Sequence, residues 1–275
     1  MAAIESNAYG KTRVRLMYVD RSQDCHQVRE LSVNILFQGD FGAAYTEGDN
    51  SSILPTDTMK NTVYVLARQL RWDSAETLAA GIAAHFLERL PHLGQADIDI
   101  EEVPWQRIGE YGSAFSQAGN ERRTARIKAT RSKVEVSSGI KGLQILKTAE
   151  SGFAGFLRDN LTTLAETADR LFGTVLEAEW QYAGSNIPFN DVHREVRTIL
   201  LECFAQHKSL SVQHTLFAMG QAVLEKVEAV AGIDLVMPNK HCLLVDLARF
   251  GLDNPNQVFV PTEEPSGYIE ARMVR

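Results

Sequence analysis

Cysteine is scarce in this chain: 275 residues carry three, Cys25, Cys203 and Cys242, widely spaced and with no C-x-x-C. An odd, scattered set builds neither a disulfide framework nor a zinc knuckle, and it suits a reducing compartment. No apolar run approaches the roughly 18 residues of a membrane span. The opening MAAIESNAYGKTRVRL lacks the apolar core of a secretory signal. An excess of positive charge is missing too. The formal net charge is -7, which argues against a general nucleic-acid binder. The one basic cluster, ERRTARIKATRSK at 121–133, reads as a solvated strand pair. His26, His85, His92, His193, His207, His214 and His241 form neither H-x-H nor H-E-x-x-H, and no carboxylate stands at ligand spacing from a histidine pair. There is no G-x-G-x-x-G, no P-loop and no G-x-S-x-G. Resident metals, nucleotides and acyl-enzyme chemistry therefore lack their usual support.

What the chain does have is the composition of a soluble globular protein, 44% apolar and 23% charged, and enough length for one large domain or two ordinary ones. Hydrophobic periodicity orders its elements. TRVRLMYV (12–19) and RELSVNILFQG (29–39) alternate, the second placing Leu31, Val33, Ile35 and Phe37 on one face. Two helices follow. One opens at PTDT (55–58), with Thr56 and Asp57 suited to cap it and complement its dipole, and carries Val63, Leu66 and Leu70. The other follows a D-x-x-E capping box, Asp73 and Glu76, carries Leu78, Ile82 and Phe86, and stops at Pro91. ADIDIEEV (96–103) and ARIKATRSKVEV (125–136) read as strands.

The same order of strand, strand, helix, helix, strand, strand then repeats. KGLQILKT (141–148) and TVLEAEWQY (174–182) are strands; helices follow Asn190 and Ser211; KHCLLVDLA (240–248) and YIEARMV (268–274) close the pattern as strands. The expectation is an α+β fold of two ββααββ units, residues 1–135 and 136–275, with antiparallel sheets. Such sheets leave edges that must be paired, blocked or closed, so the pattern predicts an oligomer with sheets completed across subunits.

Polar residues gather where these elements begin: Lys11 in YGK, Thr56 and Asp57 in PTDT, Gln213 in SVQHT, Asn239 and His241 in PNKH. Each has a plain structural explanation as a cap, turn residue or solvated charge. Helix starts are also natural places for anions. From residue types alone the candidate is an α+β oligomer with anion sites.

Those stretches also carry a resemblance. YGKTRVRL (9–16), LPTDTMKNTVY (54–64), SGFAGFLRDNLTTLAETADR (151–170), SVQHTLFAMG (211–220), MPNKHCLLVDL (237–247) and NQVFVPTEEPSGYIEARM (256–273), in that order, resemble the urate oxidase (uricase) family of the tunnelling-fold superfamily over nearly the whole chain. The resemblance implies a homotetramer of stacked barrels, active sites between subunits, urate and dioxygen as ligands, and no cofactor or metal. It implies that Phe153 stacks on the purine, Arg170 and Gln213 clamp its two edges, and Val212 offers a backbone N–H. Thr56 and the Asp57 N–H come from the adjacent subunit. Lys11, Thr56 and His241 move protons, Asn239 with Thr56 holds dioxygen and then water, and Ile269 forms an apolar wall. The ending ARMVR lacks the family's peroxisomal tripeptide, so a cytoplasmic protein of the bacterial type is expected. Two rivals stand beside this: a pterin or purine enzyme of the same fold, which would want zinc-binding His or Cys sets absent from these spacings, and a scaffold that kept the fold without activity.

Overall fold

Alternation along 29–39 has a simple outcome. In the computed structural model, which describes residues 3–117, 119–262 and 264–275, Leu31, Val33, Ile35 and Phe37 are all essentially inaccessible while Leu36 and Gln38 face out. A strand sends successive side chains to opposite faces, so a period of two buries one set. The architecture is α+β with antiparallel sheets. The chain divides into two units, the first running to Gly139 with Pro188–Asn190, the second comprising Ile140–Ile187 and Asp191–Arg275.

The first unit contains β1 (Tyr9–Asp20), β2 (Gln27–Gly39), the short α1 (Gly42–Thr46), α2 (Thr56–Gln69), α3 (Ala75–Arg89), β3 (Leu93–Val103), β4 (Trp105–Arg107), β5 (Phe115–Gln117), β6 (Arg122–Ala129) and the start of β7 (Val134–Lys147). Ile35 opposes Ile98, which opposes Ile127, so the buried residues of β2, β3 and β6 form a ladder. Met59, Val63 and Leu66 of α2 and Leu78, Ile82 and Phe86 of α3 pack into the same core. Phe86 meets Phe37 edge-on at 4.9 Å. Each such side chain contributes about 1.5–3 kcal/mol on burial.

Three local expectations need correction here. The cap of α3 is Ser74, not Asp73: its Oγ accepts from the Thr77 N–H at 3.2 Å, and Thr77 Oγ1 accepts from the Ser74 N–H at 3.1 Å. Glu76, expected as the box partner, is wholly buried and accepts from Arg123 and Ser138. The residue before α2 is Pro55, which gives no side-chain cap, so Thr56 is the first helical residue and its hydroxyl is not spent on capping. The stretch 125–136 is not one strand. Thr130 N–H donates to the Lys133 carbonyl at 2.8 Å, and that turn separates β6 from β7, which then runs without a break through most of 141–148.

The second unit holds the rest of β7, β8 (Phe172–Tyr182), α4 (Phe189–Gln206, from Asp191), α5 (Val212–Lys226), β9 (Val230–Val236), β10 (Asn239–Lys240), β11 (Cys242–Leu244), β12 (Phe259–Pro261) and β13 (Glu270–Val274). Leu176, Ala178 and Trp180 of β8 are buried with Val196, Leu200, Leu216 and Met219 of the helices. Trp180 opposes Ile233, and Ile233 opposes Met273. The expected strand over 240–248 is broken. β10 pairs with β8, but β11 leaves to form a ribbon with β12. The Asp246 carboxylate then accepts from the Ala248 N–H at 2.9 Å and starts a turn, a local bond that competes with strand pairing. Among the described residues no helix is long and apolar enough to cross a membrane.

Candidate functional site

The predicted site residues fall into two groups, one in each unit. In the first, Lys11 stands in β1 where the register with β2 shifts between Lys11 and Val14. A bulge of this kind bends a strand and re-aims its side chains. Arg13 sits within it at φ 54°, its N–H bound to Asn34 Oδ1 at 2.8 Å. Gly10 is required beside it: a Cβ there would lie 1.8 Å from the Ile35 carbonyl oxygen. Tyr9, one residue earlier, packs edge-on against Phe37 and Phe41. Its hydroxyl accepts from the Leu54 N–H at 2.9 Å. That bond ties the start of β1 to the segment entering α2, and so holds Lys11 and Thr56 on neighbouring elements. Tyr9 carries no signal in the sequence beyond standing next to Gly10 and Lys11, and it escaped the sequence reading.

Asp57 follows Thr56 in the first turn of α2. Its carboxylate binds the Lys60 ammonium and accepts from Asn61 Nδ2 at 3.0 Å. The hydrogen bond and charge of Lys60 hold the Asp57 carboxyl below its usual range, with the charge of Lys11 adding to the effect. The side chain is committed within its own helix, leaving the first-turn N–H groups of α2 as the helix's outward offering.

In the second unit the segment 151–170 folds back on itself. Phe153 N–H donates to the Thr167 carbonyl at 2.8 Å and Thr167 N–H returns to Phe153 at 3.0 Å, while Arg170 N–H donates to Ser151 at 2.7 Å. The result places the Arg170 guanidinium 5.3 Å from the Phe153 ring centroid. Phe156 stacks on Phe153, with ring centroids 4.9 Å apart and planes inclined by 13°. Burial lowers the Arg170 pKa from its ordinary value, and Arg170 Nε is buried with no partner among the described residues. A desolvated cation with an unmatched N–H is costly unless an anion or acceptor arrives.

Val212 and Gln213 are the first two residues of α5, Val212 buried and Gln213 exposed. Asn239 lies opposite Thr174 in the β10–β8 pairing, and its N–H donates to the Gly267 carbonyl at 2.8 Å. Ile269 is fixed nearby, its carbonyl accepting from Met237 N–H at 2.8 Å. His241 is exposed at the point where the chain leaves the sheet, and its carbonyl accepts from the Thr262 N–H at 2.9 Å. The two segments that carry Phe153 and Gln213 are laced together: Gly152 N–H donates to Ser209, and Ser209 N–H donates to Glu150, both at 2.9 Å. Ser211, where the helix was expected to begin, is its cap; Ser209 was missed, because a serine near a helix start has no distinctive spacing. Among the described residues no group of three or more His, Cys, Asp or Glu side chains is arranged to hold a metal ion.

Within the second unit, a guanidinium beside an aromatic face and an exposed amide on a first helical turn are groups that suit a small, planar, anionic ligand with amide-like edges. A family model described as Uricase matches residues 7–128 and 136–270. The uricase of Arthrobacter globiformis is 40% identical, over 98% of this chain and 89% of that one, and that of Dictyostelium discoideum is 38% identical, over 100% and 98%. The crystal structure of the Arthrobacter globiformis uricase superimposes with a TM-score of 0.96, covering 100% of this chain and 96% of that one at 40% identity. A Bacillus sp. TB-90 urate oxidase structure, at 21% identity and TM-score 0.85 over 98% and 100%, shares the fold. The chain belongs to the uricase (urate oxidase) family of enzymes.

Proposed function

We propose that this protein is a cofactor-independent urate oxidase, converting urate, dioxygen and water to 5-hydroxyisourate and hydrogen peroxide. The observation that carries the reading is the half-buried Arg170 guanidinium beside the Phe153 ring, with its Nε unmatched, in a chain matched to the uricase family along its length. Phe153 stacks on the purine. Arg170 binds one edge in bidentate fashion, where a planar fork suits a carbonyl and a ring nitrogen. Gln213 reads the opposite edge, since one amide supplies both a donor and an acceptor. The Val212 N–H, at the start of α5, and Ile269 complete the second unit's share.

Chemistry begins with loss of a further proton from bound urate to Lys11, relayed by the Thr56 hydroxyl. The urate dianion passes one electron to dioxygen held by Asn239 and Thr56. The radical pair joins to form a C5–O bond and a hydroperoxide. Peroxide leaves with the C5–O bond electrons, and water adds at C5. His241, which can both take and give a proton near neutral pH, returns protons with Lys11 and Thr56. The protein's part is positioning, anion stabilisation and exclusion of water.

Two tunnelling-fold units per chain and four chains per molecule complete the reading. The Thr56 hydroxyl and the Asp57 N–H are then delivered to a neighbouring subunit's Phe153, Arg170 and Gln213 in a cytoplasmic homotetramer. Urate added to metal-stripped protein should lose its near-ultraviolet absorbance, with one dioxygen consumed per urate. Stable absorbance and no oxygen uptake would overturn the reading.

A further inference from the structure

The helices α3 and α5 begin alike and then diverge at one side chain. In each, a serine caps the helix and accepts from the third helical residue: Ser74 from Thr77 and Ser211 from His214, the latter at 3.1 Å. Thr77 returns its hydroxyl to its own cap. His214 sends its ring elsewhere. Its Nδ1 lies 3.1 Å from Nε2 of His207, the residue following α4, and accepts from the Leu210 N–H at 3.4 Å. The ring centroids are 4.3 Å apart. Lys147, at the end of β7, donates to the His207 carbonyl at 2.5 Å and stands 3.7 Å from Glu150. Glu150 in turn accepts from Ser209, whose carbonyl takes the Gly152 N–H. One connected knot therefore reaches the strand before Phe153 and the turn bearing Gln213.

We propose that His207 and His214 form an imidazole pair that positions the first turn of α5, and with it Gln213 and the Val212 N–H, for substrate. The inference rests on the urate reading for the identity of that substrate. An N–H···N bond needs one protonated and one bare ring nitrogen. The Leu210 N–H also uses His214 Nδ1, so His207 Nε2 is the donor. A pair carrying two added protons has no acceptor and must open. Lys147 faces the pair from β7, Glu150 partly offsets it, and Lys208 is adjacent in sequence. Burial, then His214 and Lys147, lower the His207 pKa below its ordinary value. Because the folded state favours neutral His207, the pair holds above the usual histidine range and takes up the second proton, which opens it, only as pH falls through the lowered value.

The test compares the full-length protein with His207→Leu, which removes the donor, and His207→Gln, which keeps an N–H near the Nε2 position and cannot titrate. His207→Leu should raise KM for urate roughly three- to tenfold, with kcat changed by less than about twofold. It should also speed amide exchange across residues 209–216. His207→Gln should restore both, and should hold its KM at about pH 5 to 6, where the parent's KM rises. Unchanged KM and exchange in His207→Leu would overturn the proposal, as would failure of His207→Gln to restore either. If the parent protein consumes no urate, the functional reading fails and amide exchange decides the pair: faster exchange reversed by His207→Gln sustains the positioning role, and unchanged exchange ends it.

Discussion

In both units the second helix of the pair opens with a capping serine, followed two residues later by a long polar side chain: Ser74 and Glu76 in α3, Ser211 and Gln213 in α5. Glu76 is fully buried and closed upon by its own unit. Arg123 Nη2 donates to it at 2.7 Å, the Ser138 hydroxyl donates to its other oxygen, and Arg123 Nη1 goes on to Asn190 Oδ1 at 2.6 Å. Gln213, by contrast, is exposed, and the guanidinium of its unit, Arg170, keeps Nε buried without a partner among the described residues. Glu76 is satisfied on both oxygens from within its own unit, although Arg123 Nε, like Arg170 Nε, is buried without a partner among the described residues. The contrast lies in the acceptor side chains: Glu76 is sealed and Gln213 faces out.

The largest effect expected from breaking this contrast lies in the first unit, outside its closed cluster. Lys11→Met should lower urate turnover about 10²- to 10⁴-fold, the usual worth of a general base, while leaving binding of an unreactive urate analogue intact. Turnover at the parental rate would remove Lys11 from the chemistry. Next is Glu76→Ala, which strands the buried Arg123 and should cost about 3–5 kcal/mol of stability in denaturant unfolding, with KM of the folded fraction unchanged. A cost near zero would mean that the Glu76 cluster is not holding the unit.

Arg170→Ala sharpens the opposite side. It removes charge-assisted bonds and should weaken analogue affinity by roughly ten- to a hundredfold, with little loss of stability because the Nε it deletes was already unmatched. Unaltered affinity would sink the clamp. The smallest effect concerns Glu102, whose carboxyl is raised by burial, with Glu76 pushing the same way and Arg29 and Arg123 pulling it back. A raised value means that the folded state favours the proton. Its contribution to stability is full below the ordinary carboxylate value and declines as pH rises through the raised one. Glu102→Gln should remove that decline between about pH 4 and 7; an unchanged slope of unfolding free energy with pH would count against it.

Much of the scaffold was legible from local pattern. The face of β2 that carries Leu31, Val33, Ile35 and Phe37, the inward stripe of α4 through Val192, Val196 and Ile199, and the alternation of β8 all bury as their periods predict. Local pattern failed where competing local bonds were nearly equal. Asp73 and Ser74 both suit a cap and both bond the Thr77 hydroxyl, but the Thr77 backbone N–H goes to Ser74 Oγ. The strand drawn through 240–248 broke at an Asp246 turn, and the one drawn through 125–136 broke at Thr130.

The sequence by itself determined the order of the longer strands and helices, their core faces and the polar residue types that stand at helix and strand starts, because period and capping chemistry act over a few residues. Only tertiary structure decided which of those polar residues are spoken for. Glu76 and Gln213 look equally available in the sequence. One meets a guanidinium 47 positions away and is sealed; the other sits on a turn braced by an imidazole pair and remains open. Phe153 and Arg170 meet because a chain fold-back, fixed by the Thr167 and Ser151 backbone bonds, brings them together. Such contacts depend on long-range pairing, and no period in the residues between them records it.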